Sequence, residues 1–199
     1  MLKRILDIVT SALALAVLAV PMLLIALAVR ISSAGPAIFR QRRAGWRGKW
    51  FSMLKFRTMR ADVDPYGTSP HSQDDQRLTP LGRFLREWSL DELPQLLNVL
   101  AGQMSMVGPR PLYERQAELW NDRQRRRLQV RPGMTGYAQA FGRAALTHEE
   151  KLEMDVYYVE HRGFLLDLKI ILRTVGNLLS GRGRIYEDRY SAAKERETD

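Results

Sequence analysis

The chain opens on an apolar run with no polar stripe. From Ile8 to Val29 only Thr10, Ser11 and Pro21 interrupt it. A helix of roughly 22 residues rises about 33 Å, enough for a bilayer core. Two topologies compete. A straight helix would cross the membrane. A helix broken at Pro21, where the ring removes a backbone hydrogen bond, would have arms of about 13 and 9 residues. Those arms reach about 20 and 14 Å, too short to span, so the chain would return to the side it entered from. Lys3 and Arg4 precede the run, and Arg30, Arg40, Arg42, Arg43, Arg47 and Lys49 follow it. Basic flanks stay on the cytoplasmic side, which a hairpin satisfies and a single pass does not. Proline also occurs in ordinary membrane helices, so these residues leave both topologies open. A cleaved signal peptide fits poorly, because the run is long, Asp7 sits in its lead-in, and Arg30 closes it without a small-residue cleavage site.

Beyond residue 31 the pattern shortens. Ser32–Pro36 reads as a loop. KFRTM, 55–59, alternates basic and apolar residues as a short strand does. Residues 62–80, rich in Asp, Pro, Gly, Ser and Gln, read as a loop of the kind that forms lids. Residues 81–100 predict two short helices joined near Ser89, and 112–130 a charged helix ending in Arg125, Arg126 and Arg127. Pro132-Gly133 predicts a type II turn. Thr147–Val159 predicts a helix opened by a capping box of Thr147 and Glu150. Phe164–Leu179 carries Leu165, Leu168, Ile171, Leu172, Val175, Leu178 and Leu179 at helical spacing. That face suits a core or a membrane interface, and the apolar front end favours the interface.

Charge narrows the partners. Over 199 residues the net charge is +9 and the pI about 10.2. That balance favours nucleic acid, an anionic lipid surface or a phosphorylated substrate. No acidic residue lies between Asp7 and Asp62, while basic residues are dense from Arg40 to Arg60. Such a skirt on lipid headgroups is worth ~1 kcal/mol per basic residue. The chain has no cysteine, which excludes disulfides, thiol catalysis and cysteine-bound zinc. His71, His148 and His161 show no paired spacing for a histidine-centred metal site.

Two stretches carry candidate chemistry. WSLDELPQLLNVL, 88–100, sets Asp91 beside Glu92 at a helix start. Ser89 and Glu92 fit a capping box, although Pro94 would then fall inside the helix; a start nearer Asp91 puts it in the first turn. In either register the helix dipole favours the ionised acids, while their mutual repulsion pushes one pKa upward. Such a carboxylate caps a helix, binds a hard cation or attacks phosphorus. SMVGPRP, 105–111, holds Arg110 between Pro109 and Pro111, with Gly108 permitting close approach. A guanidinium held so suits bidentate phosphate binding; a solvated arginine on a stiff connector is the alternative.

KRILD at the N-terminus, KFRTM, SLDELPQLLNVL, MSMVGPRP, RPGMTG and DVYYVEHRGFLLDLKIILRTV together resemble the bacterial sugar transferases, the monotopic phosphoglycosyl transferases. The resemblance runs in order over nearly the whole chain. It implies the short form: a catalytic unit with its re-entrant helix, bent at Pro21, and no added N-terminal membrane domain. It also implies transfer of a sugar 1-phosphate from a UDP-sugar to polyprenol (undecaprenyl) phosphate with release of UMP. This is the first membrane step of glycoconjugate assembly, whether exopolysaccharide, O-antigen or glycoprotein. Asp91 would be the nucleophile of a covalent phosphosugar intermediate. Glu92 would assist catalysis or the Mg2+ site, and Asp155 would be a third acid near the metal. Arg110 would bind phosphate, with Lys55, Arg57 and Arg143 as further phosphate contacts.

The expected fold is α-dominated α+β: a re-entrant membrane helix over 1–31, a small cytoplasmic catalytic domain over 32–180 with amphipathic interfacial helices and a few short strands, and a charged tail over 181–199. Expected partners are a UDP-sugar, polyprenol phosphate and anionic lipids but no nucleic acid, with a homodimer left open. The expected location is the cytoplasmic face of the inner membrane. Three positions depart from the family pattern. Val20-Pro21 stands where Ser-Pro is usual, Gln103 replaces the acid of GDMS, and the AQVNGRN-like stretch reads Ala138-Gln139-Ala140-Phe141-Gly142-Arg143-Ala144, without either asparagine. Two rival readings are a membrane-anchored basic binding module and a soluble basic domain behind a signal peptide. They account for charge and the apolar run, but not for the acid pair, GPRP and their order.

Overall fold

The computed structural model describes residues 2–63, 70, 75–142 and 146–180. The predicted tail and most of the predicted lid, at 64–69 and 71–74, lie outside them. Helix α1, Leu2–Ser32, runs 31 residues with helical assignment unbroken through Pro21. Its apolar side chains point away from the protein: Leu13, Val17, Val20, Leu23, Leu24 and Leu27 are all more than half exposed.

Both ends of α1 are fastened to the body of the protein. At the first turns, Lys3 pairs with Asp167 at 2.6 Å. Buried Asp7 accepts from Ser105 Oγ at 3.0 Å and Met106 N–H at 2.9 Å, so its charge is met inside the fold. At the last turns, Val29 is buried with Phe56 and Leu85, and Met22, Ile25 and Ala26 pack against them. The polar lead-in and the final turns therefore dock, and the middle is bare.

Strands β1, Ile38–Ala44, and β2, Trp50–Phe56, form an antiparallel hairpin with Phe39 opposite Lys55 and Arg43 opposite Phe51. Only Lys55 and Phe56 of KFRTM lie in a strand; β1 was not foreseen. Its outward positions, Arg40 and Arg42, are exposed, while Gln41 and Ala44 are buried. Alternation is present, but in polar residues. Next come α2, Pro80–Glu87, capped by Thr79 accepting from Gly82 N–H at 2.9 Å, and α3, Gln95–Leu100. Arg4 donates to the carbonyls of Val99 and Leu100 at 2.6 and 2.9 Å, closing the end of α3.

Strand β3, Ser105–Val107, pairs in parallel with β4, Gly133–Thr135. Pro132-Gly133 therefore leads into a strand instead of forming a turn. The backbones approach so closely that a Cβ on Gly133 would lie 2.1 Å from the nitrogen of Gly108, so only glycine fits there. The expected helix over 112–130 is broken into α4, Glu114–Glu118, α5, Asp122–Arg125, and a 3-10 turn, Arg126–Gln129. Asn121 accepts from Gln124 N–H at 2.9 Å and starts a second helix where one was predicted.

Helix α6, His148–His161, begins with the predicted capping box. Helix α7 spans Phe164–Leu179 as the periodicity predicts. Ile170 and Asn177 face inward, whereas Leu165, Leu172 and Leu179 are 79%, 64% and 81% exposed. The core clusters join β3 to α6 and α7 through Val107, Tyr158, Val159 and Ile170, and the hairpin to α3 through Phe51, Met53 and Val99. The fold is an α-rich α+β unit with an apolar N-terminal helix.

Candidate active site

Helix α2 ends two residues before Ser89, which adopts a left-handed conformation with φ 55°. A 3-10 turn, Leu90–Glu92, follows, and Pro94 occupies the N-cap of α3. Ser89 makes no side-chain cap hydrogen bond. The capping box allowed by the sequence is therefore not formed, and the left-handed residue turns both acids into a cavity of about 690 Å³. That volume is ordinary for a small-ligand site, ~300–1,000 Å³.

The hairpin supplies one wall. Residues two apart on a strand share a face, so Phe39, Gln41 and Arg43 on β1 reach the cavity with Lys55 on β2. Arg110, carried by the segment after β3, lines the same cavity. Another wall is apolar: Ile171, Val175 and Leu178 of α7, with Trp88, Leu90 and Leu93. Val175 and Trp88 are also about half exposed, at 47% and 50%, so this wall is continuous with the outer apolar surface.

Lys55 Nζ lies 2.7 Å from Glu92 Oε1 and 3.9 Å from Asp91 Oδ2. Arg110 Nη2 donates to the same Glu92 oxygen at 3.1 Å. The two acids consequently diverge. Burial pushes Asp91 above the usual carboxylate range, Lys55 pulls it back, and the neighbouring Glu92 adds to the rise. Burial opposes the charge on Glu92 too, but Lys55 and Arg110 together outweigh it and hold that acid well below its usual range. Glu92 is an anion neutralised by two cations on one oxygen. Asp91 is a buried, more basic carboxylate with a cation only at the edge of contact, the better nucleophile of the two.

Arg86, in the last turn of α2, faces the cavity, donates from Nε to Thr58 Oγ1 at 2.8 Å, and helps hold Asp91 ionised. It was not singled out in the sequence; its approach to Asp91 depends on the turn at Ser89 that breaks the helix between them. Arg57 borders the cavity but is turned toward α1. Its Nη2 donates to Ser33 O at 2.7 Å, Ser33 Oγ at 2.9 Å and Val29 O at 3.3 Å. Its Nε and Nη1 are buried without an acceptor among the described residues. Arg143 lies outside the described residues, and Pro21 lies in the bare middle of α1.

The structure does not bring Asp155 to the acid pair. On α6 it forms a buried ion pair with Arg127, whose Nη2 also donates to the carbonyl of Arg110 at 2.7 Å. Burial pushes Asp155 up to about 6 against the pull of Arg127. Among the described residues no three acidic or histidine side chains group around a metal position. Mg2+, however, commonly takes one or two carboxylates and completes its shell with phosphate oxygens and water. Both basic partners of Glu92 use Oε1, and Oε2 has no donor among the described residues. Asp91 and Glu92 therefore fit a two-carboxylate Mg2+ set. Asp155→Asn is expected to cost about 3–5 kcal/mol of stability by stranding buried Arg127, read from denaturant unfolding. In the same variant the half-saturating Mg2+ concentration stays unchanged; a several-fold rise in folded protein would return Asp155 to the metal.

A buried carboxylate, flanked by basic groups in a cavity with one apolar wall, suits phosphoryl transfer beside a lipid surface. Comparisons agree. The family model described as bacterial sugar transferase matches residues 1–181. The chain is 44% identical over 182 residues to an uncharacterized sugar transferase, EpsL, of Bacillus subtilis, covering 92% of this chain and 89% of that one. It is 44% identical over 186 residues to a UDP-glucose:undecaprenyl-phosphate glucose-1-phosphate transferase of Caulobacter vibrioides, covering 89% and 70%. It is 37% identical over 196 residues to the exopolysaccharide production protein ExoY of Sinorhizobium fredii, covering 91% and 87%. The chain is a transferase enzyme and belongs to the bacterial sugar transferases.

Proposed function

We propose that this enzyme moves a sugar 1-phosphate from a UDP-sugar to polyprenol phosphate through a phosphosugar held on Asp91. The observation that carries the reading is the division of labour between the two acids. Glu92 takes the cations at 2.7 and 3.1 Å, which leaves Asp91 buried, basic and facing the cavity. In the first half-reaction an Asp91 oxygen attacks the sugar-bearing phosphorus. The bond from that phosphorus to the bridging oxygen breaks, its electron pair stays on that oxygen, and UMP leaves. In the second, an oxygen of polyprenol phosphate attacks the same phosphorus and Asp91 departs as carboxylate. Lys55 and Arg110 keep positive charge beside the phosphoryl oxygens throughout. Mg2+, held by Asp91 and Glu92, would supply further neutralisation of those oxygens.

The two-sided cavity fits two unlike substrates. Basic residues on the hairpin and after β3 suit the nucleotide donor. The α7 wall, continuous with exposed leucines, suits a lipid phosphate arriving from a membrane. The relative from Caulobacter vibrioides carries a name that pairs the same substrate classes. Helix α1 is long and apolar enough to cross a bilayer, but contacts at both of its ends with one body support re-entry. A straight crossing would separate those ends by a core of ~30 Å. The enzyme on this reading is monotopic, on the cytoplasmic face of the inner membrane, with its basic residues toward anionic headgroups. Cysteines introduced at residues 2 and 45 are expected to label from the cytoplasmic side only; labelling from opposite sides would make α1 a spanning helix.

The activity test is UMP release from a panel of UDP-sugars by nanodisc-held protein with Mg2+ and polyprenol phosphate. Release is expected for at least one sugar and is lost on chelation. Silence across a broad panel would overturn the proposed transfer from a UDP-sugar.

A further inference from the structure

We infer that Arg43 holds the phosphate of the departing nucleotide, forming with Arg110 a clamp for the donor diphosphate that works in the first half-reaction alone. The inference rests on the proposed transfer from a UDP-sugar.

Arg43 reaches the cavity from the inward face of β1. Its guanidinium lies over the Tyr113 ring, 3.5 Å from the centroid. Nε donates to Gln41 Oε1 at 3.1 Å, Nη2 donates to the same oxygen, and Nη1 reaches the Pro111 carbonyl at 3.4 Å. Gln41 Nε2 in turn donates to the Tyr113 hydroxyl at 3.0 Å. The plane of the guanidinium is thus fixed by a ring beneath it and an amide at its edge.

Every one of those partners is neutral. Among the described residues no carboxylate comes within ion-pair distance of Arg43, in contrast to Lys55 and Arg110. A guanidinium carries five N–H donors; these three bonds leave two for a ligand. Burial pushes Arg43 down to about 10, and Arg110 beside it contributes to the fall. A half-buried cation next to another cation, with neutral supports and spare donors, is arranged for an anion that the protein itself does not provide.

The order of charges along the wall says which anion. Lys55 lies within ion-pair distance of both acids and Arg110 of Glu92. Arg43 has no such contact among the described residues and instead binds the carbonyl of Pro111, the residue after Arg110, so it stands one step further from the nucleophile. A phosphorus under attack by Asp91 lies beside Lys55 and Arg110. The second phosphate of a nucleoside diphosphate, linked through the bridging oxygen, then falls to Arg43. When Asp91 bonds to the first phosphorus, the bond to the bridging oxygen breaks and the electron pair stays with the nucleoside monophosphate. Arg43 stabilises that growing charge. The acceptor of the second half-reaction is a monophosphate and presents nothing at this position.

The test uses the full chain in nanodiscs and the variants Arg43→Gln and Arg43→Lys. Calorimetry measures UDP and UMP binding. Rapid mixing measures UMP release and, separately, transfer from enzyme loaded at saturating UDP-sugar to polyprenol phosphate. For Arg43→Gln the affinity for UDP and UMP is expected to fall about tenfold to a hundredfold, the loss of a charged hydrogen-bonding group. UMP release slows by a similar factor, while transfer from the loaded enzyme changes less than about twofold. Arg43→Lys recovers part of the affinity, since charge returns without the planar fork. Unchanged nucleotide affinity, or equal loss in both half-reactions with a matching loss of thermal stability, would reduce Arg43 to a prop for Tyr113. If the wild type bound UDP through Arg43 yet released no UMP, the clamp would stand and the transferase reading would fall.

Discussion

Asp91→Asn is expected to lower UMP release by ~10³-fold or more, the scale on which loss of a covalent nucleophile acts. The substitution preserves shape and removes the one property the site prepares. Asp91 is 6% exposed, and burial raises its pKa above the ordinary carboxylate, so its oxygen is more basic than a solvated acid's and poorly solvated. An amide oxygen in its place has neither charge nor basicity. Folding should survive, because a buried carboxylate that costs energy to ionise is replaced by a neutral group. The pH dependence has a definite sign. Attack requires the ionised form, so wild-type UMP release falls as pH drops through the raised pKa of Asp91, at a midpoint above the ~3.9 of a free aspartate. A stopped-flow pH series on the first half-reaction reads this limb directly.

Lys55→Met is expected to be the second most damaging change, about a hundredfold in the first half-reaction. Lys55 bridges both acids, at 2.7 Å from Glu92 and 3.9 Å from Asp91. It is the largest influence holding Asp91 down against burial, so its removal raises the Asp91 pKa further. The acid limb of the rate profile then moves to higher pH, whereas Glu92→Gln, which removes a repelling charge, moves it to lower pH. Stability changes too. Glu92 is held low by Lys55 and Arg110, so its contribution is complete above the unfolded value of ~4.3 and is lost as pH falls through the lowered one. Without Lys55 that contribution shrinks, by about 3–5 kcal/mol if the pair behaves as buried pairs do. Urea unfolding at pH 7 and at pH 4 measures it: the difference between wild type and Lys55→Met is largest at pH 7.

These effects trace to residues of unequal legibility. Helix α7 and the Thr147 cap were plain in the sequence because their signals are local: a 3.6-residue repeat and a Thr–Glu pair three apart. The acid pair was legible as chemistry, but its capping box was not realised, since left-handed Ser89 points the pair into the cavity instead. Strand β1 was missed because its inward positions, Gln41 and Arg43, serve the cavity and carry no apolar alternation. Pro132-Gly133 reads locally as a turn; its strand pairing with 105–107 depends on a glycine contact across the fold. Asp155 was placed near the metal by the resemblance alone; its ion pair with Arg127, 28 positions away in sequence, lies beyond any local pattern. Asp7 entered the sequence reading only as an acid against a signal peptide and as the end of KRILD; its bonds to β3 are visible only in the fold.

The most direct measurement is the mass of the peptide containing Asp91 after brief exposure of the enzyme to its UDP-sugar without polyprenol phosphate. One sugar phosphate is expected on Asp91, appearing with the burst of UMP and discharged when the lipid phosphate is added. UMP released in stoichiometric amount from an enzyme whose Asp91 stays unmodified would contradict it.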